Sequence, residues 1–422
     1  MRNTFLTGLF SFLLISFSGF TQDKSRLVSV DGRKVEVRTS GLEERKLMQP
    51  VVIFESGLAE DLSIWDKAFA QVSDYAPVLS YNRAGIGQSD LSFDSISISS
   101  RANELKALLE GMKIEPPYIL VGHNWGALIS REFAANFSND VMGLLYLDPI
   151  TDLDNQEDLT ALLTKDGLDG ELLSEEYLEF LETRMNRHNP GVQKEVSAFI
   201  SLLKNNQVDW ESKKVEYLKS SVMIGRKADM FPMMERLSMD SREFYKKLIA
   251  GKVDYFEEFL LDKPKTSLVL SSGSMNILPY QEPLLISSNV QNLIFSDVEF
   301  QILNAGLKLD ADSYGEYLDG LVTYMPKSLI TERTYNMLGY SLMRHDQYEQ
   351  ALVLFEKNLE RYPQSANVYD SYGDGLLALG KVEEAIPYFE KAIELGTDVS
   401  HRDLELFRKN LAKSKEMLAS QN

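Results

Sequence analysis

Between residues 26 and 295, short apolar runs alternate with stretches in which apolar residues recur every three to four positions. Residues 26–40 alternate around Asp31-Gly32, a hairpin signal that predicts two opening antiparallel strands. Residues 51–54 and 76–81 are continuous apolar runs that end in glycine-bearing loops, as expected of strands buried on both faces. A helix is predicted at about 99–113 and strands at 117–121 and 142–147. Between the last two, Leu128, Ile129, Phe133 and Ala134 keep helical spacing. Strands alternating with helices predict a mostly parallel sheet covered on both faces.

Residues 151–217 break this rhythm. They are acidic and rich in helix formers, and they read as a helical cap inserted before the sheet resumes with strands at 220–224 and 266–271. A further helical excursion at about 233–260 separates those strands, and residues 283–293 supply a closing helix. Beyond it the pattern repeats with a period of 34. Tyr335, Leu338, Gly339, Leu342, Ala351, Phe355 and Pro363 return as Tyr369, Tyr372, Gly373, Leu376, Ala385, Phe389 and Thr397. This repeat resembles tandem tetratricopeptide repeats, in which small residues let paired helices pack closely while aromatics fill the gaps. Two repeats need flanking helices to complete a core, expected near 311–325 and 401–419. Tyr335, Phe355, Tyr369 and Phe389 read as core. Asn336, Tyr340, Asp370 and Asp374 are candidates for a concave surface that contacts a protein or peptide partner.

Composition narrows the function. With 422 residues, 44% hydrophobic and 25% charged, the chain has room for one large core and a smaller second unit. A net charge of −19 argues against a nucleic acid partner, whose binding rests on clustered Lys and Arg. The absence of cysteine excludes disulfides and thiolate chemistry, and no cofactor or metal site is expected. Arg2, an uncharged apolar stretch over 5–20 and the polar residues from Thr21 onward resemble a secretory signal peptide over 1–21. This implies an exported protein, periplasmic or secreted. The competing reading is an uncleaved anchor, because residues 3–22 approach the ~20 apolar positions that span a bilayer. No later segment is expected to cross a membrane.

Gly122-His123-Asn124-Trp125-Gly126 joins an apolar strand to a helix. It resembles the G-x-Ser-x-G nucleophile elbow of the α/β-hydrolase superfamily, with asparagine in place of the serine. Residues 81–90, Tyr-Asn-Arg-Ala-Gly-Ile-Gly-Gln-Ser-Asp, resemble the loop after that family's fourth strand. Ser56-Gly57 stands where the family's oxyanion loop usually has His-Gly. The resemblance runs from about residue 28 to 295, with the cap at about 151–217, and the repeat unit occupies about 311–420. It implies an α/β fold with a mostly parallel sheet and a helical cap, followed by an all-α unit.

The resemblance also implies a nucleophile, an acid and a histidine, in that order. Asn124 falls at the nucleophile position and Asp229 at the acid position, with Asp148 as the alternative acid. The histidine position falls on Asn276. The expected oxyanion donors are the backbone N–H groups of Leu58 and Trp125. Among the four histidines, His123 adjoins the elbow, His188 lies in the cap, and His345 and His401 lie in the repeats. Ser56 and Ser130 read as loop and helix-surface residues. A serine is a weak nucleophile until a base takes its proton, so loss of both positions implies an idle site. The expected function is a non-catalytic protein binding a small ligand or a partner. The alternative is an active hydrolase of ester, amide or related bonds that uses another base or nucleophile. A narrower version of that alternative notes that Gly-His-Asp-Trp-Gly is the aspartate elbow of epoxide hydrolases and haloalkane dehalogenases, of which Asn124 is the amide isostere.

Overall fold

The computed structural model describes residues 24–92, 95–185, 189–211, 215, 218–228, 237–274 and 277–421. The expected signal segment, His188, Asp229 and Asn276 lie outside the described residues. Strands β1 (Arg26–Val30), β2 (Arg33–Ser40), β3 (Val51–Glu55), β4 (Val78–Tyr81), β5 (Tyr118–His123), β6 (Val141–Leu147), β7 (Lys219–Lys227) and β8 (Thr266–Ser274) form one sheet in the order β1-β2-β4-β3-β5-β6-β7-β8. Only the β1–β2 and β2–β4 pairs are antiparallel.

Side chains alternate across a strand, and this decides what each face buries. Ile53, Leu79, Leu120, Leu144 and Val222 point to one face. There they pack with α2 (Ile98–Gly111), α3 (Trp125–Asn136), α7 (Ser241–Leu260) and the cap. Val52, Phe54, Val121, Leu145 and Met223 point to the other, against α1 (Asp66–Ser73) and α9 (Pro283–Phe295). The short α8 (Leu278–Gln281) precedes α9. The cap consists of α4 (Gln156–Lys165), α5 (Gly170–Met185) and α6 (Pro190–Lys204). Asn189 starts α6 by accepting from the backbone N–H groups of Gly191 and Val192, and Pro190 suits the first helical position.

Only residues 296–297 separate α9 from α10 (Val298–Lys308), a helix that the sequence pattern did not single out. It belongs to the second unit, since Val298, Ile302 and Ala305 share a core with residues of α11 (Ala311–Tyr324), α12 (Glu332–Arg344) and α13 (Tyr348–Arg361). Helices α14 (Ala366–Ala378), α15 (Val382–Asp398) and α16 (Leu404–Gln421) complete the array.

The 34-residue period has a visible cause. A Cβ on Gly339 would collide with the ring of Phe355, and one on Gly373 would come to 2.7 Å from that of Phe389. In both repeats the ring fits because the facing residue has no side chain. Gly339→Ala is therefore expected to destabilise the repeat unit by about 1–3 kcal/mol through overpacking. Gly315→Ala, where the nearest neighbour is Val353 at 3.7 Å, should instead stabilise by up to about 1 kcal/mol through helix propensity. Denaturant melts of the two variants should move in opposite directions.

The structure corrects the expected partner surface at Asn336 and Asp370, which are buried, and leaves Tyr340 and Asp374 half-exposed. Asn336 is buried and accepts from Asn358 Nδ2 at 2.7 Å, while Asp370 is buried and accepts from Asn410 of α16 at 3.0 Å. The half-buried Tyr340 donates to Asp374 at 2.9 Å. All four hold helices together, because polar groups inside a close-packed array must pair with one another.

Candidate functional site

Strand β5 ends at an abrupt turn where Asn124 adopts φ 50° and ψ −112°. That conformation lies outside the wells open to most L-residues and costs about 1–3 kcal/mol, so neighbouring structure must impose it. The two glycines show how. A Cβ on Gly122 would lie 2.5 Å from Gly126 O and 2.7 Å from Ala127 Cα, and one on Gly126 would strike the carbonyls of Glu55 and Ser56. Strand, helix and the loop after β3 thus meet without room for a methyl group. Asn124 is half-buried at the apex, and its side-chain amide makes no hydrogen bond among the described residues.

The cap is fastened over this turn by charge. Arg83 Nη1 donates to Glu55 Oε1 at 2.7 Å and to Ser56 O at 2.5 Å. Its Nη2 donates to Gly57 O at 2.7 Å and to Glu195 Oε1 at 2.6 Å, and Nε reaches Glu195 Oε2 at 2.9 Å. Glu195, on α6, also accepts from Ala59 N at 3.1 Å and lies 3.4 Å from Arg101 Nη2. Tyr81 donates to the second oxygen of Glu55. Arg83 is 3% exposed and both carboxylates are 0% exposed, so the network is dry. Burial raises the Glu55 carboxyl despite Arg83. For Glu195 burial acts the same way, but the bidentate guanidinium, Arg101 and Ala59 N outweigh it and hold the carboxyl below its usual range.

Backbone closeness completes the fastening. Gly191 at the start of α6 sits against Gly85, where an added Cβ would lie 2.6 Å from Gly191 Cα. Phe199 meets Trp125 edge-to-face, with centroids 5.4 Å apart. Sequence reading missed Arg83 and Glu195 as a pair. The one local signal was Arg83 itself, a guanidinium flanked by Asn82 and a glycine-bearing loop.

The expected donors are placed as follows. Leu58 is 4% exposed and Trp125 0%, and their backbone N–H groups carry no hydrogen bond among the described residues. The N–H groups on either side of Leu58 are already taken, Gly57 N by Glu60 Oε2 at 2.8 Å and Ala59 N by Glu195. His123 Nδ1 lies 2.8 Å from the same Glu60 oxygen, which couples the imidazole to the loop after β3. His345 Nδ1 bonds Ser341 O and His401 sits beside Asp403, both inside the helical unit. Ser56 Oγ accepts from Trp65 Nε1 at 3.0 Å. Ser130 is not on a helix surface, as expected from sequence, but 0% exposed. Helix α3 is covered by the sheet, α2 and the cap, so its polar positions are buried too.

Asp148 follows β6, fully buried, with Oδ1 accepting from Gly225 N at 2.8 Å and Oδ2 without a hydrogen-bond partner among the described residues. Burial pushes its carboxyl up to about 7, against the Gly225 bond and the nearby His123 and Lys252. Between its ordinary value of 3.8 and about 7, the folded chain keeps a proton that the unfolded chain has released. Stability from this group therefore falls as pH rises across that window and is flat beyond it. Asp148→Asn cannot ionise and is expected to gain stability over the wild type progressively from about pH 4 to pH 7. Paired thermal melts across that range check this, and a gap independent of pH would contradict it.

Comparison with known proteins agrees with the architecture. Residues 50–223 match the family model described as alpha/beta hydrolase fold, and residues 330–398 match that of the tetratricopeptide repeat. YqjL of Bacillus subtilis (strain 168) is 33% identical over 98 residues, which are 23% of this chain and 39% of that protein. An AB hydrolase superfamily protein of Gibberella zeae is 33% identical over 127 residues, 29% of this chain and 39% of that protein. The matches thus span about two-fifths of either relative's length. Among solved structures, an AqdC variant that recognises and ring-cleaves the Pseudomonas quinolone signal is similar at 14% identity and a TM-score of 0.45. That match covers 64% of this chain and 99% of the other, and at such identity nothing about the reaction follows from it. The sheet order, the elbow and the two family matches together make this chain an α/β-hydrolase-fold protein that carries a C-terminal tetratricopeptide unit.

Proposed function

We propose that this is an exported α/β-hydrolase-fold protein that binds a small ligand or a partner without turning it over. One observation carries the reading: Asn124, in the strained apex conformation where a hydrolase needs its nucleophile, offers a neutral amide. Asn124 stands at the nucleophile position, Asp229 at the acid position and Asn276 at the histidine position. An amide has no acidic proton to give up and attacks poorly, and the sequence between β8 and α9 carries no histidine to activate a water in its place. The uncommitted N–H groups of Leu58 and Trp125 would remain as donors for a carbonyl oxygen, a binding contact without a reaction. The repeat unit supplies protein or peptide contact, through surface other than the buried Asn336 and Asp370.

A fluorophosphonate probe tests the reading on purified protein. No labelled serine is expected, and labelling at any serine of the elbow cleft would overturn it. The rival reading, an active hydrolase, draws support from the His123–Glu60 pair, a carboxylate-oriented imidazole next to the apex. The same probe decides between them. For export, the mature protein is expected in the extracytoplasmic fraction with its N-terminus near residue 22, read by intact mass; the full-length mass in the cytoplasm would refute it.

A further inference from the structure

The elbow lies at the C-terminal ends of the parallel strands. At their opposite ends, between the sheet and the first helices of the repeat unit, is a cavity of about 400 Å³. That is within the range of small-molecule sites, roughly 300–1,000 Å³. Its sheet side is formed around the starts of β6 and β7 by Met142 and Lys219, with Leu293 of α9. Its other side is α10, through Phe300, Asn304 and Lys308.

Its charge runs against that of the chain. Lys219, Lys265 and Lys308 line it, with Asp297 as the one acidic residue among the described residues, in a protein of net charge −19. Lys219 Nζ makes a marginal contact of 3.5 Å with Asn292 O, and Lys308 makes no hydrogen bond or ion pair among the described residues. The lining is otherwise mixed: beside the amides of Asn139, Gln301 and Asn304 it has apolar side chains, of which Leu293 is 3% exposed, Leu218 8% and Phe300 68%. Lysine ammonium groups and apolar side chains lining one cavity match an anionic head on a hydrocarbon body. A neutral solute would leave the lysines unused, and a polyanion would meet Asp297 and the net negative charge of the chain.

We propose that this cavity binds a small amphipathic monoanion of the medium-chain carboxylate class, its head held by Lys219 and Lys308 and its tail lying along Met142, Leu293 and Phe300. Because those residues come from both units, occupancy fastens the repeat unit to the sheet. The site is separate from the elbow and does not depend on whether Asn124 is catalytically idle.

Isothermal titration of the full chain with decanoate below its micellar range, and with decanol, tests the assignment. Decanoate is expected to bind and decanol to bind on the order of tenfold more weakly, as for loss of a charge-assisted contact. Lys219→Met with Lys308→Met should erase that preference, and Asn304→Trp, which fills the cavity, should abolish binding while the wild-type melting profile is retained. Decanoate should also raise the melting temperature of the wild type. Equal binding of decanol, undiminished binding in the lysine double variant, binding that survives Asn304→Trp, or no binding of decanoate at millimolar concentration would each overturn the proposal.

Discussion

Glu195→Ala is expected to destabilise the hydrolase unit by about 3–5 kcal/mol, the cost of removing one partner from a buried ion pair. The size follows from what is left behind. Arg83 would keep Glu55 but lose both of its hydrogen bonds to Glu195, and Arg101 would lose its contact with the cap. A guanidinium 2% exposed cannot recover those bonds from water without opening the structure. Opening is the second expected effect, because Glu195 reaches the loop after β3 directly through Ala59 N. With the pair broken, α6 keeps no buried ionic tie to the sheet and is held by its apolar face, the Gly85–Gly191 approach and the Trp125–Phe199 contact. Trp125 is one of three tryptophans, all 0% exposed, so lifting the cap should red-shift emission before global unfolding. Arg83→Met should be at least as damaging, since it leaves Glu55 and Glu195 buried with like charge. A loss below about 1 kcal/mol for Glu195→Ala, with unchanged emission, would show that the pair does not hold the cap.

The same pair marks the limit of what the sequence disclosed. Local periodicity made the strands legible, because burial on both faces demands continuous apolar runs, and the elbow glycines were legible because only glycine permits such close approach. The 34-residue spacing exposed the repeat for a similar reason: Gly339 and Phe355 must recur together. Arg83 and Glu195, however, are 112 residues apart, and nothing in the residues around either signals the other. On helix α6 a lone glutamate reads as a solvated position. Ser130 failed in the same way, since helical spacing marks an apolar stripe but does not reveal that α3 is covered on its remaining sides. Helix α10 was missed although Val298, Ile302 and Ala305 keep helical spacing, because only two residues part it from α9 and its partners come later in the chain. Asp229 and Asn276, assigned by position in the chain, remain proposals, whereas the turn at Asn124 is observed.

Asn124→Ser combined with Asn276→His is expected to create esterase activity at the elbow. Serine suits the apex, because the φ of 50° is imposed by the glycine-lined approach of strand, helix and loop rather than by the asparagine itself. Alone, Asn124→Ser should give no more than the roughly 10³- to 10⁴-fold acceleration over water that a serine protease site keeps once stripped of its triad. Adding the imidazole should raise this by about 10²- to 10⁴-fold, the usual contribution of a positioned general base. Gain in the double variant but in neither single one, read by hydrolysis of a short activated ester and by fluorophosphonate labelling at position 124, would place both residues in one site. A folded double variant without labelling would mean that Asn276 does not face the apex. Access separates this failure from a closed cap. If the double variant is silent but becomes active once Glu195→Gln weakens the hold of α6, the register is right and the cap is the barrier. If it stays silent with the cap loosened, the assignment of Asn276 is wrong.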